Sequence, residues 1–213
     1  MSHSIEQIET ELKKRWRYKY QWFRKQNDLW DRHSRFIYSV LPFEGLVENI
    51  ARTVSEKNLD KKEFFYYSIN RWYNFWSAVA VEQVFVNQPG VTASLNARNR
   101  LEDFSIHGIT FDHKTTRFPK GFGKDLAYAK NNPQQLTQWL YNNQSTGQRQ
   151  HYASRLFVVV HDQNGNHYKL KAEISWLATL VEDLVKNFKK ENLIINQFTD
   201  RPRSFSAVIW ATR

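Results

Sequence analysis

The sequence predicts a mixed α/β fold with a helical front, and three observations carry that expectation. Apolar residues recur at helical spacing through most of the first 86 positions. After Pro89-Gly90 the pattern changes to the alternation of a half-buried strand. Two later runs, Leu156 to Val160 and Ser206 to Trp210, are short, apolar and rich in β-branched residues, and a strongly amphipathic helical pattern lies between them. The expected product is a small mixed central sheet flanked by helices. Residues 1–60 form a helical N-terminal region, and 61–213 form the core domain.

Taken in order, residues 4 to about 38 read as helix. Ser4 with Gln7 resembles a capping box, and Ile5, Ile8, Leu12, Trp16, Phe23 and Trp30 follow at helical intervals. Leu41 to Gly45 holds a proline and a glycine and turns the chain, and a second helical piece runs through Val54. Asp60 and Glu63 open a helix towards Val86 with Phe65, Ile69, Trp72, Trp76, Val79 and Ala80 as its buried stripe. Val91 to Ala97 has β character, and Pro133 to Tyr141 reads as helix. Leu156 to Val160 is a strand that Asn164-Gly165 turns into a partner at His167 to Lys171. Glu173 to Lys190 is an amphipathic helix, and Ser206 to Trp210 is the last strand.

The informative stretch runs from Asp103 to Lys114. With His107-Gly108 as a two-residue hairpin turn, Phe104 faces Phe111, Ser105 faces Thr110 and Asp103 faces Asp112. One face is then Phe104, Ile106, Ile109 and Phe111. The other is Asp103, Ser105, Thr110, Asp112 and Lys114. Two carboxylates facing across strands repel each other. A hard divalent cation between them reverses that sign, and a lysine beside it can orient water and offset charge growing on a phosphate. By this reading, Asp112→Asn should leave a metal-free protein as stable as the parent, or more so. The competing reading is a solvated hairpin face whose Lys114 neutralises two aspartates.

Composition narrows the chemistry. The chain has 31 Lys and Arg against 21 Asp and Glu, a net charge of +10, which favours a polyanionic partner and nucleic acid first among them. There is no cysteine, which excludes disulfides, thiolate catalysis and cysteine-ligated zinc. The seven histidines show no zinc spacing. The first residues lack the apolar segment of a signal peptide, and no stretch is apolar enough to span a bilayer. A cytoplasmic protein without membrane attachment is therefore expected. Two basic stretches could contact phosphates. One includes Lys13, Lys14 and Arg15 and is interleaved with aromatic residues. The other leaves the lysine strand through Arg117, Lys120 and Lys124.

Asp103 to Thr116 resembles the central hairpin of the PD-(D/E)xK nuclease superfamily, the restriction-endonuclease-like fold. The matching positions are Asp103, Asp112 and Lys114, and residues 61–160 read in the family's order of helix, three strands, helix, strand. Glu82 stands where many members carry a glutamate that helps hold metal, and the carbonyl of His113 stands where the family's middle residue commonly reaches it. Glu102 replaces the motif's proline and points away from the site. Gln138 and Tyr141 are spaced too loosely to extend the match. The resemblance covers about half the chain and finds no counterpart for residues 1–60. It implies a Mg²⁺-dependent endonuclease, with Mn²⁺ able to substitute, that acts on DNA in preference to RNA. A homodimer is compatible with it. A basic nucleic-acid-binding or assembly protein that keeps the fold without hydrolysis stays open beside it.

Overall fold

The centre of the fold is a six-stranded mixed sheet with strand order β1-β2-β3-β4-β6-β5. It is seen in a computed structural model that describes residues 3–94, 102–143, 153–198 and 203–213. Residues 95–97 of the expected first strand, and His151, lie outside the described residues.

The strands are β1 (Val91–Ala93), β2 (Phe104–Ile106), β3 (Ile109–Arg117), β4 (Arg155–His161), β5 (Ile194–Asn196) and β6 (Ser204–Thr212). β1, β2 and β3 form an antiparallel meander; β3, β4 and β6 run parallel; β5 returns antiparallel along β6. β4 has neighbours on both sides and is buried from Arg155 through Val160. That is why its sequence is a continuous apolar run and not an alternating one.

The helices are α1 (Ile5–Lys14), α2 (Asp28–His33), α3 (Phe43–Lys57), α4 (Lys61–Val86), α5 (Leu126–Asn131), α6 (Pro133–Asn143), α7 (His167–Leu170) and α8 (Ile174–Lys186). On one face of the sheet Leu136, Leu140 and Tyr141 of α6, with Ala129 of α5, pack on Phe157 and Val159. On the other, Phe85 at the end of α4 stacks 4.5 Å from Phe104, and Phe188 just beyond α8 meets Phe111 edge-on at 6.1 Å. Among the described residues no helix is long and apolar enough to cross a membrane.

The chain divides into two units, Met1–Val81 with Lys171–Ser175, and Glu82–Leu170 with Trp176–Arg213. The division falls inside α4, and not after residue 60. Aromatic residues in the first part of α4 account for this: Trp30 meets Phe64 and Tyr67 edge-on, and Phe43 meets Trp72. α4 is also buried over more of its circumference than a single stripe, with Tyr67, Ser68, Ile69, Asn70, Arg71, Trp72 and Tyr73 all inaccessible in succession.

Two elements differ from expectation. Residues 4–38 are not one helix. α1 does begin with the Ser4–Gln7 capping box, but it ends at Lys14 in a 3-10 turn, and irregular chain follows to Asn27, which caps α2. Arg15 explains the break. Its buried guanidinium donates to the carbonyls of Tyr18 and Lys19, and the Asn70 side-chain amide donates to that of Gln21. These carbonyls find partners without a helix. Likewise, His167 to Lys171 does not form a strand. Both edges of β4 are already paired, and the Asp162 carboxylate takes the Asn164 and Asn166 amides, turning the chain into α7.

Candidate active site

The β2–β3 hairpin carries most of the site. His107 (φ 47°) and Gly108 (φ 81°) both sit in the left-handed region, the requirement of a type I′ turn. The register is Ile106 with Ile109, Ser105 with Thr110, and Phe104 with Phe111, so Phe104, Ile106 and Phe111 enter the core together.

At Asp103 the ladder departs from simple alternation. Its N–H donates to the Phe111 carbonyl (2.9 Å), so Asp103 and Phe104 both oppose Phe111, as at a β-bulge. The Asp103 carboxylate is thereby aimed at β3, where its Oδ2 accepts the His113 N–H at 2.7 Å. The charge of Asp112 is felt at Asp103, but the strand pairing ends at Phe104 and Phe111, one residue before the two aspartates would face each other.

Asp112 is 5% exposed and lies between two cations. Lys114 Nζ donates to Oδ1 at 2.6 Å, while Arg155 Nε stands 3.2 Å from Oδ2, off the line of a hydrogen bond. Arg155 is the direct register partner of Asp112 on β4, and its guanidinium stacks 4.6 Å from the Tyr141 ring. Burial pushes the Tyr141 phenol up to about 12, and its hydroxyl donates to the Ala153 carbonyl at 2.8 Å. Lys114 reaches solvent; Arg155 does not.

Glu82, on the last turns of α4, is half-buried. Burial pushes its carboxyl up, and the charge of Asp103 pushes the same way. Asp103 is itself pushed up, chiefly by burial. Asp112 adds to the shift, while the His113 N–H and Lys114 oppose it. Three carboxyls and two cations therefore gather around the middle of β3, and two of the carboxyls resist ionisation.

His113 packs its ring on the side of Phe85, tilted against it, with Nε2 2.8 Å from Thr115 Oγ1. Among the described residues, no three His, Asp or Glu side chains form a ready-made metal cage. The donor set nonetheless suits Mg²⁺, which is satisfied by one or two carboxylates and keeps several waters. A cation near Asp103 would offset the like charge that raises both Asp103 and Glu82.

The phosphate-binding candidates separate into two groups. Arg117, Lys120 and Lys124 are exposed at and beyond the end of β3, with Lys124 Nζ 5.5 Å over the Tyr128 ring. Lys13, Lys14 and Arg15 belong to the N-terminal unit. Arg15 is fully buried, donates to Asn70 Oδ1 at 2.5 Å and lies over the rings of Tyr20 and Tyr73, so it does not present a charge to a phosphate. Lys13 is paired with Glu9 and Glu173, and Lys14 with Glu11 and Glu44.

Sequence reasoning missed Arg155. The only signal is an arginine directly before the apolar run of β4, and its meaning depends on a parallel register that local patterns do not specify. Set against protein-family models, curated proteins and solved structures, the chain matches none.

Proposed function

We propose that this protein is a Mg²⁺-dependent nuclease on a restriction-endonuclease-like core, hydrolysing phosphodiester bonds of DNA in preference to RNA. The observation that carries the reading is the gathering of Glu82, Asp103, Asp112 and Lys114 around the middle of β3. Two of these carboxyls, Glu82 and Asp103, are held back from ionisation by burial and by the charge of a neighbouring aspartate.

Asp103 and Asp112 would hold the ion, with Glu82 and the His113 carbonyl as further donors. When bound, Mg²⁺ supplies charge to the phosphate and acidifies water. Lys114 Nζ reaches solvent from beside Asp112, where it can donate to an incoming water and offset charge on the phosphoryl oxygens. Water adds to phosphorus and gives up a proton to solvent, the bond to one ester oxygen breaks, and the departing alkoxide takes up a proton from solvent to leave as the alcohol. Arg155, locked between Asp112 and Tyr141, restricts the Asp112 carboxylate to one orientation.

One observation favours a second reading, a basic nucleic-acid-binding or assembly protein without hydrolysis. Each Asp112 oxygen is already met by a cation, as in an ordinary buried ion pair. Thermal melts with Mg²⁺ or Mn²⁺ against EDTA separate the two. A nuclease gains stability from the ion through Asp103 and Asp112, whereas a binding protein of this kind melts identically in all three buffers.

A further inference from the structure

A second group of polar residues, apart from the carboxylates, lies at the carboxyl ends of the parallel strands. β3 ends at Arg117, and Phe118 continues the pairing through its N–H to the Val160 carbonyl. β4 ends at His161, whose ring meets Phe118 edge-on at 5.8 Å. β6 closes the group by backbone bonds: the Arg213 N–H donates to the His161 carbonyl, and the Gln163 N–H to that of Arg213. The turn after β4 then brings His167 back against His161, ring centres 5.1 Å apart. Lys120 projects from the loop that leaves β3. Carboxyl ends of parallel strands are where ligands of open α/β sheets collect.

The turn fixes the chemistry of His167. Its Nδ1 accepts the Asp162 N–H at 2.8 Å, which places the ring proton of the neutral form on Nε2, across the ring from the turn. Among the described residues, Asp162 is the acid whose charge acts on this imidazole. Its Oδ1 is spent on the Asn164 and Asn166 amides. The remaining influences are cationic or protonatable: His161, Arg117 and Lys120. Burial chiefly, and these neighbours with it, push the His167 imidazole below its ordinary range, and Asp162 opposes them only in part. Two adjacent imidazoles beside an arginine and a lysine form an electropositive site with directed N–H donors. Both imidazoles are only partly buried, and Arg117 and Lys120 are exposed.

We infer that His161, His167, Arg117 and Lys120 form a phosphate-binding site at the carboxyl ends of β3 and β4. His161 lies six residue steps along β4 from Arg155, the register partner of Asp112, about 20 Å at strand spacing. This site is therefore distinct from the carboxylate cluster, and it stands whether or not the chain cleaves nucleic acid. The phosphate can belong to a polynucleotide strand or to a free phosphate or monoester, and an experiment distinguishes them.

The test follows the imidazole NMR signals of the full chain at pH 6.5 and constant ionic strength, assigned with His161→Gln and His167→Gln. Inorganic phosphate, titrated against chloride, should shift the His161 and His167 signals saturably, raise the apparent pKa of His167, and leave the histidines outside this site unmoved. Lys120→Gln and Arg117→Gln, both exposed changes, should each weaken that binding about tenfold while the remaining histidine signals report an intact fold. A single-stranded oligonucleotide that moves the same two signals, and competes with phosphate, identifies the source as a strand. An oligonucleotide without effect identifies a free phosphate or monoester. If neither ligand moves these signals beyond the chloride control, or if both charge variants bind like the parent, the inference is overturned.

Discussion

Replacing Asp112 by asparagine should destabilise the metal-free protein by about 3 kcal/mol, the reverse of what repulsion between two aspartates alone leads one to expect. The sign is set by Arg155. Its guanidinium is 4% exposed and its nearest countercharge is Asp112 Oδ2, 3.2 Å away. At an effective dielectric near 20 such a pair is worth roughly 5 kcal/mol. An asparagine carbonyl recovers a little of that by its dipole. Lys114 contributes almost nothing to the difference, because its side chain reaches solvent and rehydrates. Relief of repulsion with Asp103 works in the other direction but is smaller, since the His113 N–H and Lys114 already offset that charge. Urea unfolding at pH 7.5 in EDTA measures the change. For a chain of this size, 3 kcal/mol corresponds to a Tm lower by roughly 6–12 °C. The double variant Asp112→Asn/Arg155→Met should recover most of the loss, because it removes the stranded charge and not only its partner. A single variant as stable as the parent would falsify the buried-pair account.

Three further outcomes follow from the same geometry. Glu82 and Asp103 have folded pKa values raised above their unfolded ones, so the folded state holds protons more tightly; metal-free stability should rise as pH falls from neutral towards the ordinary carboxylate range, and Glu82→Gln should flatten that rise. A pH series of urea midpoints checks this, and a midpoint that falls over that interval by the same amount in parent and Glu82→Gln contradicts it. Arg15→Ala should cost roughly 3 kcal/mol or more, because the carbonyls of Tyr18 and Lys19 lose their charged donor in a buried setting, and nucleic-acid affinity of the folded fraction should stay unchanged. Affinity for DNA should fall steeply with salt, and Lys120→Gln/Lys124→Gln should lower the slope of log affinity against log salt by about 2; filter binding at several salt concentrations reads the slope, and an unaltered slope removes the loop from the interface.

Much of the architecture was legible because it is written in local patterns. The period change at Pro89-Gly90, the I′ turn at His107-Gly108 and the alternating faces of the hairpin are short-range signals, and each has its counterpart in the structure. The unbroken apolar character of Leu156 to Val160 gave a fully buried strand for the same reason. What escaped depends on contacts distant in sequence. Arg15 reads as one more surface cation until Asn70, 55 positions away, supplies its partner. His167 reads as a strand residue until β6 occupies the edge of β4 it would have needed. Arg155 became visible only with the parallel register of β3 and β4, and it sets the sign of the Asp112→Asn outcome. The bulge at Asp103 is a further case: alternation puts the side chain on the polar face but does not show that its carboxylate binds the backbone of β3.

The central proposal, metal-dependent phosphodiester hydrolysis at Asp103, Asp112 and Lys114, is tested most directly by one comparison. Parent protein and Lys114→Ala are incubated with supercoiled plasmid and with labelled RNA, in Mg²⁺ and in EDTA. Lys114 is exposed and is not a metal donor, so the variant should fold and keep its stabilisation by Mg²⁺. The parent should nick or linearise DNA only with the ion present, act more slowly on RNA, and lose activity at least 100-fold on loss of Lys114. A parent that cuts neither substrate with Mg²⁺ or Mn²⁺, or a Lys114→Ala variant that cuts as fast as the parent, would contradict the account.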